Sequence, residues 1–189
     1  MVYLSRIYTK AGDAGETTLG DGARVLKCTP RVTAYGEVDE LNAVLGLISG
    51  LGDDDRQLLR SIQNDLFDVG ADLCVPPPSE GSSDDGLRVT PAQTERLERE
   101  IDQRNDRLEP LRSFVLPGGT DGAAWLHLAR TVCRRAERSV VALMQTERVN
   151  PAVLVYLNRL SDLLFVMARV ANDDGKQDVL WEPGQSRKQ

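Results

Sequence analysis

Apolar residues recur every three to four positions in five stretches of this chain, and strong helix breakers stand between the stretches. The first predicted helix follows Pro30 and runs from about Arg31 to Leu51, where Gly50-Leu51-Gly52 stops it. The second runs from about Asp54 to Val75, carries Leu58, Leu59, Ile62, Leu66, Val69 and Leu73 on one stripe, and ends at Pro76-Pro77-Pro78. Thr90-Pro91 opens the third with a capping residue and a proline in the first turn, and the helix continues past Leu97 and Ile101 toward Leu108. After the break at Pro117-Gly118-Gly119, Thr120 or Asp121 caps a fourth helix that reaches about Arg148. Its expected core is Leu126, Ala129, Val132, Cys133, Ala136, Val140 and Leu143. Asn150-Pro151 starts the fifth, which ends near Asn172.

No segment sustains an apolar alternation of period two, so a sheet is not expected. Five long helices with short connections predict an all-α fold, a five-helix antiparallel bundle over residues 31–173 within a single domain of residues 1–189. Residues 1–29 and 174–189 lack helical periodicity and read as loops laid over the bundle, where function tends to sit. The stretch 76–89 is rich in Pro, Ser, Gly and Asp; it reads as a mobile loop and receives no role.

Composition narrows the possibilities. A chain of 189 residues buries roughly 70% of the surface it exposes when unfolded, and with aromatics at only 5% Leu, Val and Ala must do most of the packing. A net charge of −6 argues against nucleic acid or an anionic membrane as partner, so any bound polyanion must meet a local basic site. Cys28, Cys74 and Cys133 are an odd set without CxxC spacing, which points away from a disulfide framework or zinc site and toward a reducing compartment. The first residues form no apolar leader, and apolar runs elsewhere fall short of the roughly 18 residues of a membrane span. A cytoplasmic location is expected.

Three segments carry candidate chemistry. From Thr9 to Gly22 four glycines fall within eleven positions, interleaved with Thr17 and Thr18 and flanked by Lys10 and Lys27. Glycines let backbone N–H groups approach phosphate oxygens, and hydroxyls and lysines add donors and charge. No GKT or GKS follows, so this is not a Walker A loop, and a ligand-free flexible arm is the competing reading. On the fourth helix Arg130, Arg134, Glu137 and Arg138 share a face. Like charges four residues apart repel, so this stripe needs either carboxylates from another helix or chain, or a polyphosphate. On the fifth, Asn158, Ser161, Asp162 and Phe165 share a face that faces solvent or holds a ligand, and Asp39 on the first could orient an arginine. With His127 the only histidine, a Glu-x-x-His di-iron site cannot be built, and His127 reads as a structural hydrogen-bonding residue.

Taken in order, Tyr8 to Thr18, Ala34 to Asn42, Phe114 to Gly119, Arg130 to Arg138, Leu157 to Asp162 and Val179-Leu180-Trp181 resemble the PduO-type cobalamin adenosyltransferases. The resemblance implies a homotrimer of five-helix bundles with an active site at each subunit interface, ATP being held by the N-terminal loop of one chain and helices of its neighbour. Thr9, Lys10, Ala11, Gly12, Asp13, Gly15, Thr17, Thr18 and Lys27 then match the ATP loop. Arg134, Arg135, Glu137, Arg138 and Asn158 match its helical wall, Arg130 and Asp39 match an intersubunit salt bridge, and Lys10, Arg134 and Asn158 stand out as catalytic.

The implied reaction needs no protein nucleophile: Co(I) of cob(I)alamin or a related corrinoid attacks the 5′-carbon of ATP and expels triphosphate, while Mg²⁺ with Lys10, Lys27 and Arg134 takes up the charge. Phe114 matches the residue under the cobalt, where an apolar wall keeps off the lower axial ligand, and the tail around Trp181 would help close the site. A flavoprotein reductase as electron source and an adenosylcobalamin-dependent enzyme as acceptor are the implied protein partners. Two other readings stay open, a bundle that stores corrinoid and ATP or senses nucleotide, and a purely structural helical protein.

Overall fold

Three helices start on a proline, where the missing N–H has no helical partner to lose: α1 (Pro30–Leu45), α3 (Pro91–Asn105) and α5 (Pro151–Ala171). The computed structural model describes residue 8, residues 10–78 and residues 86–187. Thr9 of the expected nucleotide loop and residues 79–85 of the expected 76–89 loop lie outside the described residues. The remaining helices are α2 (Asp53–Cys74) and α4 (Asp121–Met144). Thr90 and Gln93 form a reciprocal capping box on α3, the Thr120 hydroxyl accepts from the Ala123 N–H at 3.2 Å, and Asn150 Oδ1 accepts from Ala152 N–H at 3.1 Å. Asp53, Asp54 and Asp55 put negative charge at the positive end of the α2 dipole.

Helix boundaries depart from the periodicity in two places. The first helix stops at Leu45, six residues early, because Gly46 and Leu47 turn their N–H groups to Ala43 and Val44 in a tightened last turn. The fourth stops at Met144, freeing Glu147 and Arg148 for other partners. An unexpected hairpin also appears in the N-terminal arm: β1 (Glu16–Thr18) pairs antiparallel with β2 (Arg24–Leu26), Thr17 opposite Val25. Strands of three residues are too short to display an alternation. Their turn rests on Gly22 at φ +89°, and Glu16 and Arg24 form an exposed cross-strand pair at 2.7 Å.

The helices pack in the order α2–α1–α4–α5–α3. Ion pairs close the ring: Arg104 reaches Asp55 at 2.7 Å, and the buried Asp65 of α2 accepts from Arg96 of α3 and, at 2.8 Å, from the Tyr156 hydroxyl of α5. Every residue expected in the second- and fourth-helix stripes is buried. Helix α5 is apolar enough over its 21 residues to cross a membrane by length and composition, contrary to expectation. Here it is the core helix, flanked by α4 and α3, with Leu157, Leu160, Leu163 and Leu164 fully buried.

Arg31, 2% exposed, gathers three chain ends. Its guanidinium donates to Leu73 O at 2.6 Å at the end of α2, to Arg148 O at 3.0 Å and to the Glu147 carboxylate at 2.8 Å. Helix-terminal carbonyls left without donors in the interior are costly. Arg31→Met is therefore expected to lower unfolding free energy by about 2–4 kcal/mol, read as a reduced urea midpoint at unchanged slope.

Candidate active site

The arm folds on itself before it meets the bundle. Lys10 takes a left-handed backbone conformation at φ +61°, Gly15 N–H donates to Gly12 O at 3.2 Å, and Lys27 N–H closes the turn on Gly15 O at 2.8 Å. The Lys27 ammonium bonds Gly12 O at 3.0 Å, and a Cβ on Gly12 would stand 2.9 Å from Nζ and push the lysine tip aside. Lys10, Ala11, Asp13 and Thr18 are exposed around this turn, while Thr17 is half-buried. The arm is docked on α1 and α2, through a side-chain hydrogen bond between Tyr35 and Thr17 and through Gly20 N–H to Cys74 O at 3.1 Å. Burial and the nearby Cys74 push the Tyr35 phenol up.

The arginine stripe resolves into three kinds of residue. Arg135 leans to α1 and pairs with Glu40, next to a 2.7 Å bond from Ser139 to Glu37, so it stands apart from the rest of the stripe. Glu137 leans to α5, where its carboxylate accepts from Asn158 Nδ2 at 2.9 Å. Arg134 and Arg138 are exposed and have no acidic partner within 4 Å among the described residues. The fifth-helix patch is narrower than its sequence suggests: the buried Ser161 hydroxyl donates to Asn158 O at 2.8 Å, and Asp162 pairs with Arg159 at 3.2 Å. Only Asn158 of that trio joins the stripe.

Toward the start of α4 the stripe passes Arg130, whose guanidinium lies 6.0 Å from the centre of the Phe165 ring on α5. Burial and the like charge of Arg134 push Arg130 below its ordinary value, and its Nε is buried without a partner among the described residues. Asp39 is exposed on α1, in a groove with Tyr35, Gly36, Phe67 and Gly70, and does not meet Arg130 within the chain. Beyond Arg130, at the start of α4, lie Phe114, 77% exposed, and Trp181, their ring centres 6.0 Å apart. In chain order the solvent-facing aromatic pair thus precedes α4, and the unpaired arginines lie further along it.

Comparison with known proteins gives the family. Residues 7–171 match the family model described as cobalamin adenosyltransferase. The family is settled. The chain belongs to the cobalamin adenosyltransferases. A corrinoid adenosyltransferase of Mycobacterium tuberculosis (strain ATCC 25618 / H37Rv) is 51% identical over 98% of this chain and 97% of its own length. The corrinoid adenosyltransferase PduO of Salmonella typhimurium is 44% identical over 90% of this chain and 51% of its own length. A phenylalanine-to-alanine variant of a PduO-type ATP:corrinoid adenosyltransferase from Lactobacillus reuteri, solved with cobalamin and ATP, superposes with a TM-score of 0.85 at 42% identity, covering 94% of this chain and 99% of that one. An arginine-to-lysine variant of the Lactobacillus reuteri enzyme, solved with ATP, gives a TM-score of 0.83.

Within this adenosyltransferase two features escaped the sequence reading. The tail is not a loose loop: Leu116 N–H donates to Val179 O at 2.8 Å and Trp181 N–H to Phe114 O at 2.7 Å, so it pairs with the segment that carries Phe114. Arg169, a charge set late among the apolar residues of α5, was the available signal. His127, expected to hydrogen-bond, makes no hydrogen bond among the described residues. It is 2% exposed and packs against the Phe165 ring at 6.1 Å, and burial together with Arg130 holds its pKa below the ordinary 6.5.

A lowered folded-state pKa means that the unfolded chain binds the extra proton first, so this contribution to stability is lost as pH falls below 6.5. Urea titrations near about pH 7.5 and about pH 5.5 are expected to show that loss in the parent protein and a smaller one in His127→Phe.

Proposed function

We infer from this site how the chain works as a cobalamin adenosyltransferase: it transfers the 5′-deoxyadenosyl group of ATP to the cobalt of cob(I)alamin or a related corrinoid and releases triphosphate. The observation that carries the reading is the α4–α5 face, where the exposed, acid-free Arg134 and Arg138 flank a Glu137 bonded to Asn158, with an exposed aromatic pair ahead of the start of α4. Roughly 12 Å of helix separates Arg130 from Arg138, so a charged leaving group and an apolar macrocycle have separate places.

Co(I) supplies both electrons of the new Co–C5′ bond as the C5′–O bond breaks. The electron pair of that bond leaves on triphosphate, and cobalt ends formally as Co(III). No proton has to be moved by the protein, which suits a groove whose one histidine is buried and held neutral. The chain's part is positioning and charge. Arg134, Lys10 and Lys27 meet the phosphates, the turn of Ala11, Gly12, Asp13 and Gly15 lets them approach its backbone, the hydroxyls of Thr17 and Thr18 add donors, and Thr9 belongs to the same loop by position. The Glu137–Asn158 bond uses Asn158 Nδ2 and leaves its side-chain Oδ1 to accept from the nucleoside. Mg²⁺ arrives on ATP: among the described residues no three acidic, His or Cys side chains gather into a metal cage, and Mg²⁺ is readily carried by phosphates and water. Phe114 forms the apolar wall under cobalt, and a reductase of the flavoprotein class supplies the electron that takes Co(II) to Co(I).

The loop docks on α1 and α2, whereas the wall stands on α4 and α5. A complete site therefore draws its loop from a second copy. This supports a homotrimer with sites between subunits, in which Asp39 of one chain meets Arg130 of the next, within the cytoplasm and with delivery of adenosylcobalamin to an enzyme that uses it.

Incubation with MgATP and chemically reduced cobalamin is expected to yield triphosphate and a light-sensitive Co–C bond; nucleotide binding without either product would replace the enzyme by a carrier. Arg134→Ala is expected to slow turnover by about 10²-fold. Lys10→Ala and Arg134→Ala proteins, each weak alone, should recover activity when unfolded together and refolded as mixed oligomers. A mixture no better than its parts would return the site to a single chain.

A further inference from the structure

A buried polar cluster at the end of α5 lies directly behind the exposed aromatic pair. Arg169 is 6% exposed and Asn172 1%, and the Asp178 side chain is 2% exposed. One Asp178 oxygen accepts from Arg169 Nε at 2.8 Å and the other from Asn172 Nδ2 at 3.0 Å. Each partner then reaches the segment between α3 and α4. Arg169 donates to Glu109 O at 3.1 Å, Asn172 donates to Gly118 O at 3.2 Å, and Thr120 N–H donates to Asn172 Oδ1 at 3.1 Å. Gly119, at φ +105°, makes the fit possible, because a Cβ there would stand 2.1 Å from Asn172 Oδ1.

The cluster thus pins the segment at both ends, at residue 109 and at 118–120, and pins the tail at 178. Between those pins the segment and the tail pair with each other, and Ser113 Oγ adds a 2.7 Å bond to Trp181 O. What this backbone displays is apolar: Phe114 is 77% exposed, Val179 61%, Leu116 46% and Trp181 45%. A buried ion pair is retained here although it does nothing to hide those side chains. A face held in one geometry binds without the cost of ordering a loop.

We propose that the Arg169–Asn172–Asp178 cluster is a positioning device that holds Phe114 and Trp181 as one preformed aromatic wall of the corrinoid pocket, with Trp181 in contact with the macrocycle. The proposal rests on the corrinoid reading of Phe114 given above.

Trp125 and Trp181 are the two tryptophans of the chain, so Trp125→Phe leaves Trp181 as the sole indole reporter. In that background cob(II)alamin with MgATP is expected to quench Trp181 emission as it binds. Adding Asp178→Asn should weaken corrinoid binding by about tenfold and slow turnover from Co(II) more than turnover from prereduced Co(I), with ATP affinity held within about twofold. Unquenched emission alongside normal adenosylation would remove Trp181 from the wall. Equal losses of ATP and corrinoid binding, or no change in either, would overturn the positioning role. Should Asp178→Asn lose its helical circular dichroism, the exposed Trp181→Ala carries the test: a loss confined to corrinoid binding supports the wall, and unchanged corrinoid binding overturns it. A parent protein that neither releases triphosphate nor binds corrinoid would sink the functional reading itself, before any variant is compared.

Discussion

The seam between α4 and α5 is the contact on which the rest of the molecule depends. Ala129, Cys133 and Ala136 present a fully buried stripe of small side chains, and Leu157, Leu160 and Leu164 of α5 are fully buried in the same core. The approach is close enough for the Cys133 thiol to donate to Leu157 O at 3.2 Å, and burial pushes that thiol well above its ordinary range, so it stays protonated. Tight packing of this kind leaves little freedom in the relative rotation of the helices. The polar residues just outside the seam inherit that definition, which is why Glu137 and Asn158 meet at hydrogen-bond distance.

Charge is sorted on this frame. An acidic protein offers carboxylates to most of its arginines: Arg135 has Glu40, Arg159 has Glu98 and Asp162, Arg104 has Asp55 and Glu100, and Arg96 has Asp65. Arg134 and Arg138 have no acid within 4 Å among the described residues, and unlike other unpaired arginines such as Arg60, Arg99 and Arg148 they flank an acid, Glu137, that is already engaged by an amide. In the proposed function these two exposed, uncompensated guanidinium groups on one helix serve as a preorganised receptor for phosphate oxygens. Arg130 differs from them: it is half-buried against Phe165, its charged form is disfavoured, and its Nε is buried without a partner among the described residues.

The same groove is finished by parts distant in sequence. The tail returns past the start of α4 and pairs with the segment carrying Phe114, and the buried Arg169–Asp178 pair holds the two together. Polar interactions are buried behind this end of the groove and apolar side chains are exposed in front of it, the reverse of an ordinary surface. Such an inversion is stable because no fully buried side-chain donor or acceptor of the cluster is left without a partner.

Local signals determined a great deal. Proline and glycine punctuation, capping residues and the 3.6-residue period located five helices and their buried stripes, because each depends on neighbours a turn or two away. Ordered motifs also marked the family, since loop glycines, the arginine stripe and Asn158 are recognisable without knowing what they touch. Tertiary structure alone decided which charges are spent and which are free. Nothing near Arg135 in the chain announces Glu40, which is 95 positions away, and nothing near Asn158 announces that Ser161 turns back to its carbonyl while Asp162 turns to Arg159. The hairpin at Glu16–Leu26 and the tail pairing at Trp181 were invisible for a related reason: short strands are stabilised by their partners, and a partner is a fact of the folded chain rather than of the segment.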